Sequence, residues 1–210
     1  MFKHAMKWGS VIFDYLVITI LLTISLALIF PFPLIVTGTH KYFCFKIEER
    51  RLATIFTTIG ENWSILWKFA LLWSFMVALP VIYLVWFNMN GNNQIFISII
   101  AYVVLIFALI LISNGPILII RMNLTLGQLL FNSFTLIYGC WYLLIASYIL
   151  CIGYGVLVSY FPYVTPIGLH FLILFDNFAS RKAFKKLKAK ALKVDPKEIE
   201  EIENKDISNI

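Results

Sequence analysis

Between Lys68 and Arg121, and again between Arg121 and Asp176, the chain contains no Asp, Glu, Lys or Arg. Each gap is long enough for two membrane crossings, because a hydrocarbon core of about 30 Å takes roughly 20 helical residues. A Lys, Arg or Asp at the middle of a crossing costs about 2.5–3.5 kcal/mol on insertion scales, so charge-free tracts of this length are expected where oil is the solvent. The pattern predicts an all-α, polytopic transmembrane bundle with five spans, at about residues 11–30, 65–87, 95–113, 134–157 and 164–178. In this reading residues 1–178 are the transmembrane domain and 179–210 a charged cytoplasmic tail.

The first apolar run follows Lys3, His4 and Lys7 and so imitates a signal peptide, but it is too long and ends in Pro31-Phe32-Pro33 without a small-residue cleavage site. It is read as a retained span. From Thr37 to Trp67 the chain is amphipathic: Leu52, Ile55, Phe56 and Ile59 form one apolar stripe suited to the headgroup layer or to packing beneath the bundle. Thr58-Ile59-Gly60-Glu61 fits a capping box, which would start the next helix near Ile59.

Pro80 interrupts the second span, and the asparagine-rich stretch from Asn88 to Asn93 supplies a tight turn into the third. Asn114-Gly115-Pro116 is expected to end or kink the third span, with a more polar connector from Arg121 to Ser133 before the fourth. Phe161-Pro162-Tyr163-Val164-Thr165-Pro166 divides the last long apolar stretch into two helices, the second leaving the bilayer through Ser180-Arg181-Lys182. On the fourth span Ser147, Cys151 and Gly155 make a small-residue stripe that invites a neighbouring backbone to come close.

Composition sharpens this picture. The chain is 61% hydrophobic and only 13% charged, about half the charged share usual in soluble domains. Its formal net charge of +6 sits beside apolar segments and in one tail, which points to a cytoplasmic membrane surface and not to nucleic acid. Cys44, Cys140 and Cys151 form no CxxC and no zinc-like spacing, and no cofactor is implied.

Lys and Arg near helix ends favour the cytoplasm. Lys41, Lys46, Arg50, Arg51 and Lys68 lie in the first connector and Arg121 in the third, so these and the tail are placed inside. That puts the N-terminus outside if the first run crosses fully, with Lys3 and Lys7 opposing the rule. The alternative is a first segment that re-enters at Pro31-Phe32-Pro33 and keeps the N-terminus inside, leaving four full crossings.

Pro31-Phe32-Pro33-Leu34-Ile35-Val36-Thr37-Gly38-Thr39, the charged link from Glu48 to Trp67, and Asn114-Gly115-Pro116-Ile117-Leu118-Ile119-Ile120-Arg121 with the following Leu124 to Leu136 together resemble the YesL-like family of small bacterial polytopic membrane proteins. The resemblance covers roughly the first 185 residues through short apolar motifs, and Thr39 stands where the family usually has proline. That family has no established biochemical activity, and its members accompany carbohydrate uptake or degradation systems. The resemblance therefore implies a noncatalytic accessory or assembly subunit at the bacterial cell membrane, associated with a carbohydrate transport system, and carries over no catalytic residue. A small transporter or channel is the alternative; nothing in the residues fixes the oligomeric state.

Ionisable groups in or beside spans are the candidates for function. Asp14, Arg121, His170 and Asp176 are these groups. Arg121 and Asp176 are expected at the inner interface, the one snorkelling and the other meeting water. With the N-terminus outside, Asp14 and His170 would share a depth and could pair; with it inside, Asp14 falls at the depth of Arg121 and Asp176. Arg181, Lys182, Lys185, Lys186, Lys188, Lys190 and Lys193, interleaved with Phe184, Leu187, Ala191 and Val194, form a basic helix suited to anionic lipid headgroups. An acidic end containing Glu200, Glu201 and Glu203 follows. No P-loop, HExxH, GxSxG or paired acid cluster occurs within a span, so no enzyme activity is expected.

Overall fold

The computed structural model describes the backbone of residues 2–45, 49–90, 95–139, 141–161 and 165–192, with the side chains at 2–10, 87–90, 138–139, 143–144, 159, 165–167 and 170 outside the description. Among the described residues there are eight helices and no strand: α1 (Phe2–Leu28), α2 (Phe32–Cys44), α3 (Ala53–Glu61), α4 (Trp63–Asn90), α5 (Ile95–Arg121), α6 (Leu126–Gly139), α7 (Trp141–Tyr160) and α8 (Thr165–Leu192). Three contain segments long and apolar enough to cross a membrane: Val11–Leu28, Trp63–Trp86 and Ile95–Arg121. The protein is membrane-embedded. The five expected spans are not all met, because the described apolar stretches of α6 and α7 are short, at Leu126–Ile137 and Ile145–Val158. In α8 the apolar portion shares one helix with Asp176 and six Lys or Arg residues.

The segment directly after the first span, from Phe32 to Cys44, is helical. Ile29 adopts φ 60°, a left-handed conformation that is unusual for a β-branched residue and reverses the chain. Pro33 then falls in the first turn of α2, where a missing N–H costs nothing. Tyr42 donates to Asp14 Oδ2 at 2.9 Å, and the rings of Tyr15 and Phe43 lie 6.3 Å apart. Asp14 and Tyr42 are about equally far from the Ile29 turn, so α2 runs back alongside α1. With 13 residues it is about 20 Å long. Ten of those residues are buried, from Phe32 to Phe43, which makes α2 the centre of the bundle and not a surface element.

Close backbone approach explains why. A Cβ on Gly38 would meet Ile55 Cγ2 at 2.6 Å and the Ile55 carbonyl oxygen at 2.7 Å, so α3 lies directly on α2. Ile55 is fully buried, while Phe56 of the expected apolar stripe faces outward. The expected capping box at Thr58 is corrected: Thr58 lies inside α3 and its hydroxyl donates to the Thr54 carbonyl at 2.6 Å. The break falls at Asn62 instead, whose side-chain amide donates to the Thr58 carbonyl at 3.0 Å.

Asn114-Gly115-Pro116 does not end the third helix; α5 continues to Arg121. A helix-interior proline removes one backbone bond, and here burial of every residue from Ser113 to Ile119 outweighs that loss. Gly115 lets Phe69 of α4 sit where a Cβ would be, at 2.7 Å. The polar connector expected up to Ser133 is mostly α6. A reciprocal cap starts it: the Thr125 N–H donates to Gln128 Oε1 at 2.9 Å and the Gln128 N–H to Thr125 Oγ1 at 3.4 Å. The expected fourth span is accordingly two helices, α6 and α7.

These contacts order the ends of the bundle. Trp73 Nε1 donates to the Ala108 carbonyl at 3.0 Å and Phe69 meets Gly115, so α4 and α5 are antiparallel. Phe32 lies against Trp73, with ring centroids 5.4 Å apart, and His40 faces Asp176 of α8. Beyond Asp176, α8 runs toward Arg121, which shares a groove with Phe184 and Lys188. The N-terminal end of α1, the C-terminal ends of α2, α5 and α8, and the start of α4 therefore lie at one end of the molecule. Asp14, bonded to Tyr42, thereby lies near the depth of Asp176, which faces His40 within one turn of Tyr42 on α2.

A buried polar centre between α2, α5, α7 and α8

Asp176 was expected at a watery interface, but it is only 6% exposed. Its Oδ1 accepts from the hydroxyls of Ser113 on α5 and Ser147 on α7, the latter at 2.8 Å. Its Oδ2 lies 3.7 Å from His40 Nε2 on α2. The neighbouring residue extends the set: Asn177 Nδ2 donates to the His40 carbonyl at 3.0 Å. One turn further, Ser180 donates to the Ser113 carbonyl at 3.0 Å. On the other side of α5, Asn114 Nδ2 donates to the Ser133 carbonyl at 2.8 Å and to the Tyr148 hydroxyl at 3.2 Å.

Asp176, Asn177 and Ser180 lie close together along one face of a helix, and Ser113-Asn114 projects from adjacent positions to both sides of α5. Five helices are thereby joined by side-chain hydrogen bonds. In a medium without water such bonds replace the missing hydrophobic drive between helices. The imidazole of His40 is fully buried, and among the described residues neither ring nitrogen has a hydrogen-bond partner; the same holds for Thr39 Oγ1 and Asn114 Oδ1.

Above Asp176 an apolar cavity of about 300 Å³ is lined by Phe32, Trp73, Leu109, Cys151, Tyr154 and Leu169, with Ser113 and Asp176 at one end. The small-residue stripe on α7 belongs here. Cys151 and Gly155 line the cavity and no neighbour lies within 4 Å of a Cβ placed on Gly155, so this part of the stripe makes room and does not admit a backbone. Gly168 is the position where α7 and α8 meet closely, against the Tyr154 ring.

A second cluster lies at the end of the α1–α2 hairpin. Arg50 donates from Nε to the Phe45 carbonyl at 3.1 Å and from Nη1 to the Tyr15 hydroxyl at 3.2 Å. Its guanidinium stacks on Tyr42 and Phe43 at 5.5 and 5.4 Å. Burial and the Asp14 carboxylate together raise the Tyr42 phenol pKa.

Of the residues singled out in the sequence, Asp176 stands at the centre, Asp14 bonds Tyr42, and Arg121 is half-buried at the end of α5. The His170 side chain, on which a pairing with Asp14 depends, lies outside the described residues, as do Lys193 and the acidic end. Arg181, Lys185 and Lys188 are half-buried, and Lys182, Lys186 and Lys190 exposed. Sequence reasoning missed His40, Ser113, Asn114 and Asn177 as partners. The signal was present in the run Ser113-Asn114, two hydrogen-bonding residues inside an otherwise apolar helix. Among the described residues no group of three His, Cys, Asp or Glu side chains converges to hold a metal ion.

Fold and centre together define a helical, membrane-embedded protein with a hydrogen-bonded polar core. Comparison with known proteins finds no matching family model, no matching curated protein and no matching solved structure.

Proposed function

We propose that this chain is a noncatalytic, multi-pass protein of the bacterial cell membrane that serves as an accessory or assembly subunit, with both ends of the described chain in the cytoplasm. The observation that carries the reading is the distal half of the α4–α5 hairpin. On α5 the buried positions before Leu111 are only Ala101 and Ala108, while Phe75, Leu79, Ile82, Trp86, Phe96 and Ile99 are exposed on the two helices. This arm stands clear of the bundle and offers apolar faces that a partner helix can cover. The resemblance to YesL-like proteins supports a carbohydrate transport system as that partner's setting. Cytoplasmic termini are supported by the basic residues Arg50, Arg51, Lys68, Arg121 and those of α8 gathered at one end.

Purification in mild detergent tests the reading. The expected result is stoichiometric co-elution with a membrane transporter subunit, lost when Leu79 and Ile99 are replaced by Trp. Elution of the chain alone, with solute uptake into liposomes containing only this protein, overturns it. The second reading, a small carrier, is favoured by the cavity that ends at Asp176. Loss of such uptake in D176N would establish it.

A further inference from the structure

The cavity above Asp176 is left open by the packing of the bundle. It holds about 300 Å³ and is walled by Phe32, Trp73, Leu109, Tyr154 and Leu169, with Asp176 at one end. Leu169 and Asp176 line it from the same helix, so it extends about 10 Å along α8. Packing alone could have closed it, because a Cβ on Gly155, which also lines the cavity, meets nothing within 4 Å. The carboxyl group is itself incompletely used. The hydroxyls of Ser113 and Ser147 both donate to Oδ1. Oδ2 lies 3.7 Å from His40 Nε2, too far for a hydrogen bond, and among the described residues it accepts none.

We propose that this cavity binds a small organic ammonium ion, with an ammonium N–H donating to Asp176 Oδ2 and a short alkyl or phenyl tail lying among Phe32, Trp73 and Tyr154. A buried carboxylate is relieved by an opposite charge that also fills its open hydrogen-bond position, and an ammonium group does both. An uncharged apolar molecule would match the walls and leave Oδ2 open. An inorganic cation would match the carboxylate and leave the aromatic walls unfilled, while an anion would meet Asp176 in a medium that screens their repulsion poorly. Apolar walls with a polar group that fixes orientation are the usual make-up of a small-molecule site, and about 300 Å³ is within its usual size. The proposal deepens the carrier reading, on which it rests for the ligand's passage, by naming the class of solute; binding is measured apart from uptake.

The test is calorimetric titration of the full chain in detergent with phenylethylamine, phenylethanol and phenylpropionate, which share a tail and differ in charge. The wild type should bind the amine saturably and about tenfold or more tighter than the alcohol or the acid, as expected for a buried charge pair. D176N should bring the amine level with the alcohol. G155L, which fills the apolar part and keeps the carboxyl group, should abolish binding of both, and circular dichroism with a melting curve checks that each variant is folded. Equal affinity for amine and alcohol in the wild type, an unchanged preference in D176N, or undiminished binding in G155L would each overturn the proposal. Saturable amine binding without amine uptake into liposomes would uphold the site and remove the carrier reading. Uptake of another solute by a chain that binds no amine would overturn the site and leave the carrier reading in place.

Discussion

His40 and Asp176 face each other across α2 and α8, with Nε2 3.7 Å from Oδ2, in an interior from which both side chains are almost wholly shielded. The carboxyl group also receives two serine hydroxyls, so it ties together four helices from one atom position in the sequence. Removing it leaves the hydroxyls of Ser113 and Ser147 without their acceptor, at about 1–3 kcal/mol for each buried group. D176A is therefore expected to lower thermal stability in detergent by several degrees. D176N keeps an acceptor oxygen and should lose less than half as much; equal melting points for the two variants would contradict the bonding scheme.

Gly38 is irreplaceable for a different reason. A methyl group there meets the Ile55 carbonyl oxygen at 2.7 Å, and backbone of α3 cannot rotate away. G38A should destabilise by about 1–3 kcal/mol, the usual cost of overpacking. G60A, where nothing lies within 4 Å of the added carbon, should be neutral or slightly stabilising because alanine favours the helix. Comparing their melting temperatures checks both.

Arg50 holds the open end of the α1–α2 hairpin through two hydrogen bonds and two ring faces. R50K preserves the charge but not the planar fork, and is expected to lose roughly 1 kcal/mol. Faster proteolysis between α2 and α3 in R50K than in R51K, where Arg51 is exposed, would be the accompanying sign.

The all-helical fold and its residence in a membrane were legible from charge spacing, because the cost of burying charge in oil is a local property of each segment. Helix ends were less so. Thr58 to Glu61 has the residue types of a cap yet lies within α3, while Thr125 and Gln128 form a cap that the apolar pattern hid. Pro31-Phe32-Pro33 reads as a stop, and α1 does end just before it at Leu28; Asn114-Gly115-Pro116 reads as one too, but there burial against other helices overrides the local preference. The polar centre was half legible. Asp176 was visible as a lone charge, but its partners come from α2, α5 and α7, and three-dimensional neighbours of that kind leave no periodic trace in a single sequence.

The bond from Asn177 to the His40 carbonyl joins residues 137 positions apart. A ribosome adding about 5–20 residues per second needs roughly ten seconds to cover that distance, during which α2 has been made but the helix that completes its surroundings has not. The first hairpin must wait in the bilayer with hydroxyl and imidazole groups incompletely sheltered, a delay during which an insertion chaperone would find it most accessible.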